Sequence, residues 1–226
     1  MITPIPTSPL PHHLAELEKL RAKHYECVPV LPVGCRSILE VACGIGQVLV
    51  TLEVGPHTKR VGVDADHAAL EYGRRHFAQV CFCAGWGEAL PFRSGSFDAL
   101  ICRRSLYLMD IPAALREFAR VLRPHGYLWL ELIPASCTAQ ELWSAVRHLQ
   151  LRRTLLHAFG LLNSMRLHWT NRQWTYPAEL AQGGRVLSFQ TFAGMARSLR
   201  DAGFINVERD PCRTQFVMRA VRGPED

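Results

Sequence analysis

The sequence has almost no lysine. Of its 26 basic residues only Lys19, Lys23 and Lys59 are lysines, and the rest are arginines. The chain also has no Lys/Arg run and no basic patch interleaved with aromatics, so its formal charge of +6 does not by itself point to nucleic acid. No run of about 18 apolar residues occurs, which excludes a membrane-spanning helix. The start, Met1 to Pro11, is Pro-rich and lacks the basic stretch and apolar core of a secretory signal, so a cytoplasmic location is expected. Charged residues make up only 20% of the chain against 48% hydrophobic, which leaves little room for long disorder. The 8 cysteines are scattered, several inside apolar runs such as VCFCA and ALICR, and are expected to be reduced and buried. No metal site is expected, Cys81 and Cys83 included.

What is present is the pattern of one α/β domain over residues 1–226. Residues 1–35 read as an N-terminal helix or cap, with Leu14, Leu17, Leu20 and Lys23 to Tyr25 at helical spacing before Val28-Pro29. From Arg36 onward, short apolar runs alternate with helical stretches: SILEVA, QVLVTLE, RVGVDA, HAALEYGRRHF, VCFCA, FDALICR, PAALREFARVL, YLWLELI. Such alternation implies parallel strands buried on both faces with right-handed crossovers. Near the end, a helical stretch closed by Gly203 precedes FINVERD and TQFVMRAV, which should pair as an antiparallel hairpin. Residues 135–187 break the pattern and read as an inserted helical lid.

The first strand ends in Glu40-Val41-Ala42-Cys43-Gly44-Ile45-Gly46, a Gly-rich turn that lets a ligand approach the backbone. Asp64 ends the next strand about 20 positions beyond, where doubly wound nucleotide sites hold ribose hydroxyls. Asp66 is the better placed cap for the helix that follows. A dinucleotide fingerprint would need a third small residue where Leu49 stands. Glu40 would repel a pyrophosphate but suits a cationic cofactor, and these two residues count against a nicotinamide or flavin oxidoreductase.

In these motifs the chain resembles the class I S-adenosylmethionine-dependent methyltransferases, in particular the group that includes the ubiquinone and menaquinone biosynthesis enzymes. ILEVACGIG is similar to the family's first motif, with Ala42 in place of a glycine. VGVDAD is similar to the second, AGWGEALPFRSGSFDALICRRSLYLMD to the third and fourth, and VLRPHGYLWLE to the element before the fifth strand. The resemblance implies a Rossmann-like, doubly wound sheet of seven strands in the order 3-2-1-4-5-7-6 with the last antiparallel. It implies S-adenosylmethionine as cofactor, at Glu40, Ala42, Cys43, Gly44, Gly46, Asp64, Ala65, Gly85, Trp86, Glu88, Cys102 and Arg103. Trp86 stands where the family commonly has an Asp for the adenine amino group, so an indole would cover the adenine, with Glu88 compensating in part. Ala42 is compatible with the loop if its φ is negative. Cys102 and Arg103 stand where the family places backbone contacts to the methionine part of the cofactor, so their side chains need not take part.

Tyr107, after the fourth strand, is the candidate catalytic residue on the acceptor side, its plain alternative being an aromatic packed under the lid. His157, His168 and Tyr176 of the insert are further candidates to reach the acceptor. The insert holds six arginines against two glutamates, which suits either a solvated helical face or a lid admitting a small anionic or amphiphilic acceptor, with peripheral membrane contact as a further use. The rival functions are a non-catalytic binding relative, which Ala42 and Trp86 make conceivable, and an RNA methyltransferase.

Overall fold

The structure, a computed structural model, describes residues 10–22, 28–174, 188–212 and 215–224. Its centre is a seven-stranded sheet in the order β3-β2-β1-β4-β5-β7-β6. The strands are β1 (Ser37–Val41), β2 (Lys59–Asp64), β3 (Val80–Ala84), β4 (Phe97–Arg103), β5 (Leu122–Leu132), β6 (Phe204–Arg209) and β7 (Phe216–Arg222). β7 runs antiparallel to both β5 and β6, and the other pairs are parallel, as expected from the apolar runs and the terminal hairpin.

All five residues of β1 are buried, because helices cover both faces of the sheet. Side chains alternate between the faces. Leu39, Val41, Leu100, Cys102, Leu128 and Leu130 pack on one side with α4 (Ile111–Val121) and α7 (Phe192–Asp201). Ile38, Ala99, Ile101 and Trp129 pack on the other with α1 (Leu10–Arg21), α2 (Gln47–Thr51) and α3 (His67–His76). This period of two carries Glu40, Arg103 and Glu131 onto the α1 side, at the carboxyl ends of three adjacent strands, with Arg103 directly opposite Glu131 in register.

Local chemistry sets the boundaries. Asp66 caps α3 by accepting from the amides of Ala68 and Ala69, and Asp110 caps α4 by accepting from Ala113. At the opposite end of the strands Asp98 accepts from the Arg36 and Ser37 amides and the Ser37 hydroxyl, each within 2.8 to 2.9 Å, which staples β4 to β1. Three expectations change. The helix after the glycine turn has only five residues, ending at Thr51. Cys81 is exposed because β3 is an edge strand. Cys35, Cys43, Cys81, Cys83, Cys102 and Cys137 are free, but Cys212 is disulfide-bonded, against the expectation of reduced thiols throughout.

The segment after β5 forms α5 (Ala135–Arg147) and α6 (Leu151–Thr170), which pack together. Leu167 of α6 enters the main core. Asn163 is fully buried and pairs with both backbone groups of Trp174, while the Ser164 hydroxyl accepts from the Phe189 amide. The remainder of the expected insert, residues 175–187, lies outside the described residues, as do Lys23 to Tyr25 and Tyr176.

Candidate functional site

The expected site residues converge at the carboxyl ends of β1, β2 and β4. Asp64 closes β2, and its two oxygens are shared between neighbouring loops: Oδ2 accepts from the Gly44 amide at 2.7 Å and Oδ1 from the Asp66 amide at 2.8 Å. The turn from Ala42 to Gly46 is wound left-handed at three positions, Ala42 (φ 57), Gly44 (φ 55) and Gly46 (φ 82). Ala42 therefore takes a positive φ, contrary to expectation. Its Cβ meets the backbone there, at a cost of about 1 kcal/mol that the surrounding loop hydrogen bonds offset.

The glycines are required by their neighbours. A Cβ on Gly44 would lie 2.5 Å from the His13 ring, and one on Gly46 would lie 2.8 Å from Phe82. Cys43 turns its thiol inward under Gly62, where burial raises its pKa, so only its backbone is available at the loop. Cys102 is likewise buried in β4 with its thiol pKa pushed up by burial. Gly85 donates its amide to the Asp64 carbonyl, and Ala65 lies half-buried between Asp64 and the Asp66 cap. Trp86 stands beyond it with its side 59% exposed, available to cover a planar ligand. Glu88 is tied to the Asp110 amide at 2.9 Å, at the start of α4, so it serves that junction and does not compensate freely for Trp86.

Electrostatics give the site its character. Arg103 forms a buried ion network, Nε to Glu131 at 2.6 Å and Nη1 to Glu16 of α1 at 2.9 Å. The Arg103 side chain, which the backbone contacts of the family do not require, is thus committed to this network. Glu16 also accepts from Gln47 Nε2 at 3.0 Å, and His13 Nδ1 lies 3.3 Å from the same amide nitrogen. Burial pushes the Glu16 carboxyl up, but Arg103 and Gln47 outweigh it and the net shift is downward. Glu40 is fully enclosed, its Oε2 has no hydrogen-bond partner, and burial holds its pKa well above the usual carboxylate range despite the charge of Arg103. Glu16 and Glu131 pair with Arg103, Arg104 adds a longer contact to Glu131 at 3.9 Å, and Glu40 is left unpaired in the field of Arg103, with Glu16 and Asp64 adding negative charge to it.

That arrangement tests which ligand fits. A partnerless buried carboxylate oxygen beside a glycine turn is matched by a cationic group, and the same negative field opposes a pyrophosphate. Sequence reasoning missed His13, Glu16, Gln47 and Glu131. Its available signal was the burial stripe of α1, where His13 and Glu16 interrupt Leu14, Leu17 and Leu20. On the acceptor side, Tyr107 sits in the short helical turn after β4, its ring stacked on Phe189 at 5.4 Å and its carbonyl accepting from the Ser188 amide. His157 is buried with Nδ1 lacking a hydrogen-bond partner, and burial lowers its pKa. His168 is instead engaged with the Thr191 hydroxyl at 2.7 Å. No group of three or more metal-ligating side chains occurs among the described residues.

Comparison with known proteins assigns one segment of the chain. The methyltransferase domain family matches residues 38–126, which hold β1, the glycine turn, Asp64, Trp86 and Arg103. Residues 38–126 are a class I S-adenosylmethionine-dependent methyltransferase domain. Its cofactor is S-adenosylmethionine. The chain is 36% identical over 98 residues to a demethylmenaquinone methyltransferase of Symbiobacterium thermophilum, covering 39% of each chain. It is 36% identical over 102 residues to a nocamycin O-methyltransferase of Saccharothrix syringae, covering 42% of this chain and 36% of that one. The chain thus matches less than half the length of these curated relatives. In fold it is similar to a Haloferax volcanii methyltransferase solved with the Trm112 methyltransferase activator, with a TM-score of 0.63, 17% identity and 94% of each chain covered. A Methanosarcina mazei SAM-dependent methyltransferase gives a TM-score of 0.54 at 20% identity over 84% of this chain and 93% of that one. Among the described residues no helix is long and apolar enough to cross a membrane.

Proposed function

We propose that the chain transfers a methyl group from S-adenosylmethionine to a small, largely apolar acceptor. The observation that carries the reading is Glu40, a buried carboxylate with an unpartnered oxygen in a field of excess negative charge at the glycine turn. When bound, the cofactor supplies a methyl group on a positively charged sulfur. The chain's own part is positioning: Glu40 offsets the positive charge, Asp64 holds the ribose end, Trp86 covers the adenine, and the turn from Ala42 to Gly46 gives backbone access.

Alignment of acceptor and methyl supplies much of the acceleration in such transfers. Tyr107, Phe189 and the α5–α6 segment form the acceptor side in this reading. The buried Nδ1 of His157 is a polar atom that can orient an acceptor, and Tyr107 brings a phenol hydroxyl to the same side. The α5–α6 segment then selects the acceptor while leaving cofactor affinity to the strand ends. The stacking of Tyr107 on Phe189 also suits a purely packing role, so Tyr107→Phe separates the two.

Transfer of labelled methyl groups to a panel of phenols, hydroquinones and amphiphilic amines, with total RNA alongside, tests the proposal. Label on an apolar small molecule supports it. Label on RNA alone transfers the chain to the RNA-modifying reading, and absence of cofactor binding to the non-catalytic one.

A further inference from the structure

Helix α6 carries its apolar stripe outward. Leu151, Leu155, Leu162, Met165 and Trp169 recur at helical spacing along its length and are all exposed, while the side turned to the protein holds His157, Gly160, Asn163, Ser164 and Leu167. The stripe is about 27 Å long. Trp143 and Val146 of the neighbouring α5 are exposed as well, and Leu149 at the elbow between the helices is 91% exposed in a left-handed conformation (φ 53). An exposed apolar surface of this extent is uncommon on a chain that meets only water.

The charges around the stripe choose its occupant. Arg147, Arg152 and Arg153 flank the exposed elbow, Arg166 lies over Trp174 at 4.5 Å, and Glu141 is the only acidic residue between Ala135 and Trp174. A second copy docked symmetrically on the same face would set this arginine-rich surface against itself, like charge to like. An anionic phospholipid surface meets both features, since leucine and tryptophan side chains enter the interface while arginines contact headgroups. We infer that the α5–α6 hairpin docks this protein on anionic membrane surfaces, with Leu149 and Leu151 at the elbow leading. The inference does not rest on the methyl-transfer reading and is tested by binding alone.

The experiment is sedimentation of the full chain with vesicles of phosphatidylcholine, or of phosphatidylcholine and phosphatidylglycerol in equal parts. Binding to the anionic vesicles only, weakened by added salt and accompanied by a blue shift of tryptophan emission, is expected. Leu155→Glu with Leu162→Glu, and separately Arg152→Gln with Arg153→Gln, should each lower the partition by roughly tenfold or more while circular dichroism stays unchanged. Equal binding to both vesicles, or binding to neither, overturns the proposal. So does a dimer in light scattering that Leu155→Glu dissociates, and so does an acidic protein partner that competes off the vesicles without inserting tryptophan. If a variant fails to fold, the preference of the parent for anionic vesicles and its salt dependence still decide.

Discussion

Asp64 on β2 and Gly44 after β1 are joined by a hydrogen bond of 2.7 Å from the glycine amide to the carboxylate. The residue proposed to hold the ribose therefore also fixes the turn proposed to face the methionine part, and the two halves of the site are set by one side chain. Asp64→Ala should weaken S-adenosylmethionine binding by roughly 1.5 to 3 kcal/mol, through lost charge-assisted hydrogen bonds and a loosened turn. Asp64→Asn, which keeps an acceptor for Gly44, should lose less. Equal loss in both variants would show that charge alone matters.

Glu40 should trade stability for binding. Its folded-state pKa is raised, so its favourable contribution exists below the ordinary carboxylate range and is lost as pH rises through the raised value. Above that raised value the carboxylate is a poorly compensated buried charge, and there Glu40→Gln should stabilise the cofactor-free protein, an advantage that shrinks as pH falls and the carboxyl takes up its proton. Cofactor affinity should fall at the same time. Thermal melts with and without S-adenosylmethionine measure both, and a variant both less stable and equally good at binding contradicts the role given to Glu40.

Ala42 tests the strain in the turn. Alanine to glycine is ordinarily destabilising, because glycine gains freedom in the unfolded chain. At a φ of 57 the relief of the Cβ contact should cancel or exceed that cost, leaving Ala42→Gly between neutral and about 1 kcal/mol more stable. Denaturant titration measures it; a loss of more than about 1 kcal/mol would contradict a left-handed Ala42.

Helix α1 should leave the strand ends in acid. Burial lowers the pKa of His13 and the Arg103 contact lowers that of Glu16. For both groups the depressed folded value means that stability is present above the unfolded pKa, ordinarily 6.5 and 4.5, and is lost as pH falls below it. Hydrogen exchange of the α1 amides should quicken in two steps on acidification, and His13→Gln should remove the first.

The fold was legible because the strands are nearly continuous apolar runs separated by helices, and order, register class and terminal hairpin follow from that with the family resemblance. Gly44, Gly46 and Asp64 were legible as a strand-end pattern, and the structure brings them together. Arg103 was read for its backbone position with its side chain left open, and Glu16 and Glu131 were not read at all. Their partnership spans α1, β4 and β5, separations that no local pattern encodes. The sign of φ at Ala42 was also beyond reach, since propensity favours the negative value and only the loop's hydrogen bonds override it. The insert was read as a solvated helical face or an apolar lid, and the outward direction of the α6 stripe was not legible, because periodicity shows that a stripe exists but not which way it turns.

Calorimetric titration of the protein with S-adenosylmethionine, and separately with NAD, is the most direct test of a cationic cofactor at Glu40 and the glycine turn. Micromolar binding of S-adenosylmethionine that Glu40→Gln weakens by about tenfold or more, with no heat from NAD, is expected. Heat from NAD alone, or S-adenosylmethionine binding unchanged in Glu40→Gln, would contradict it.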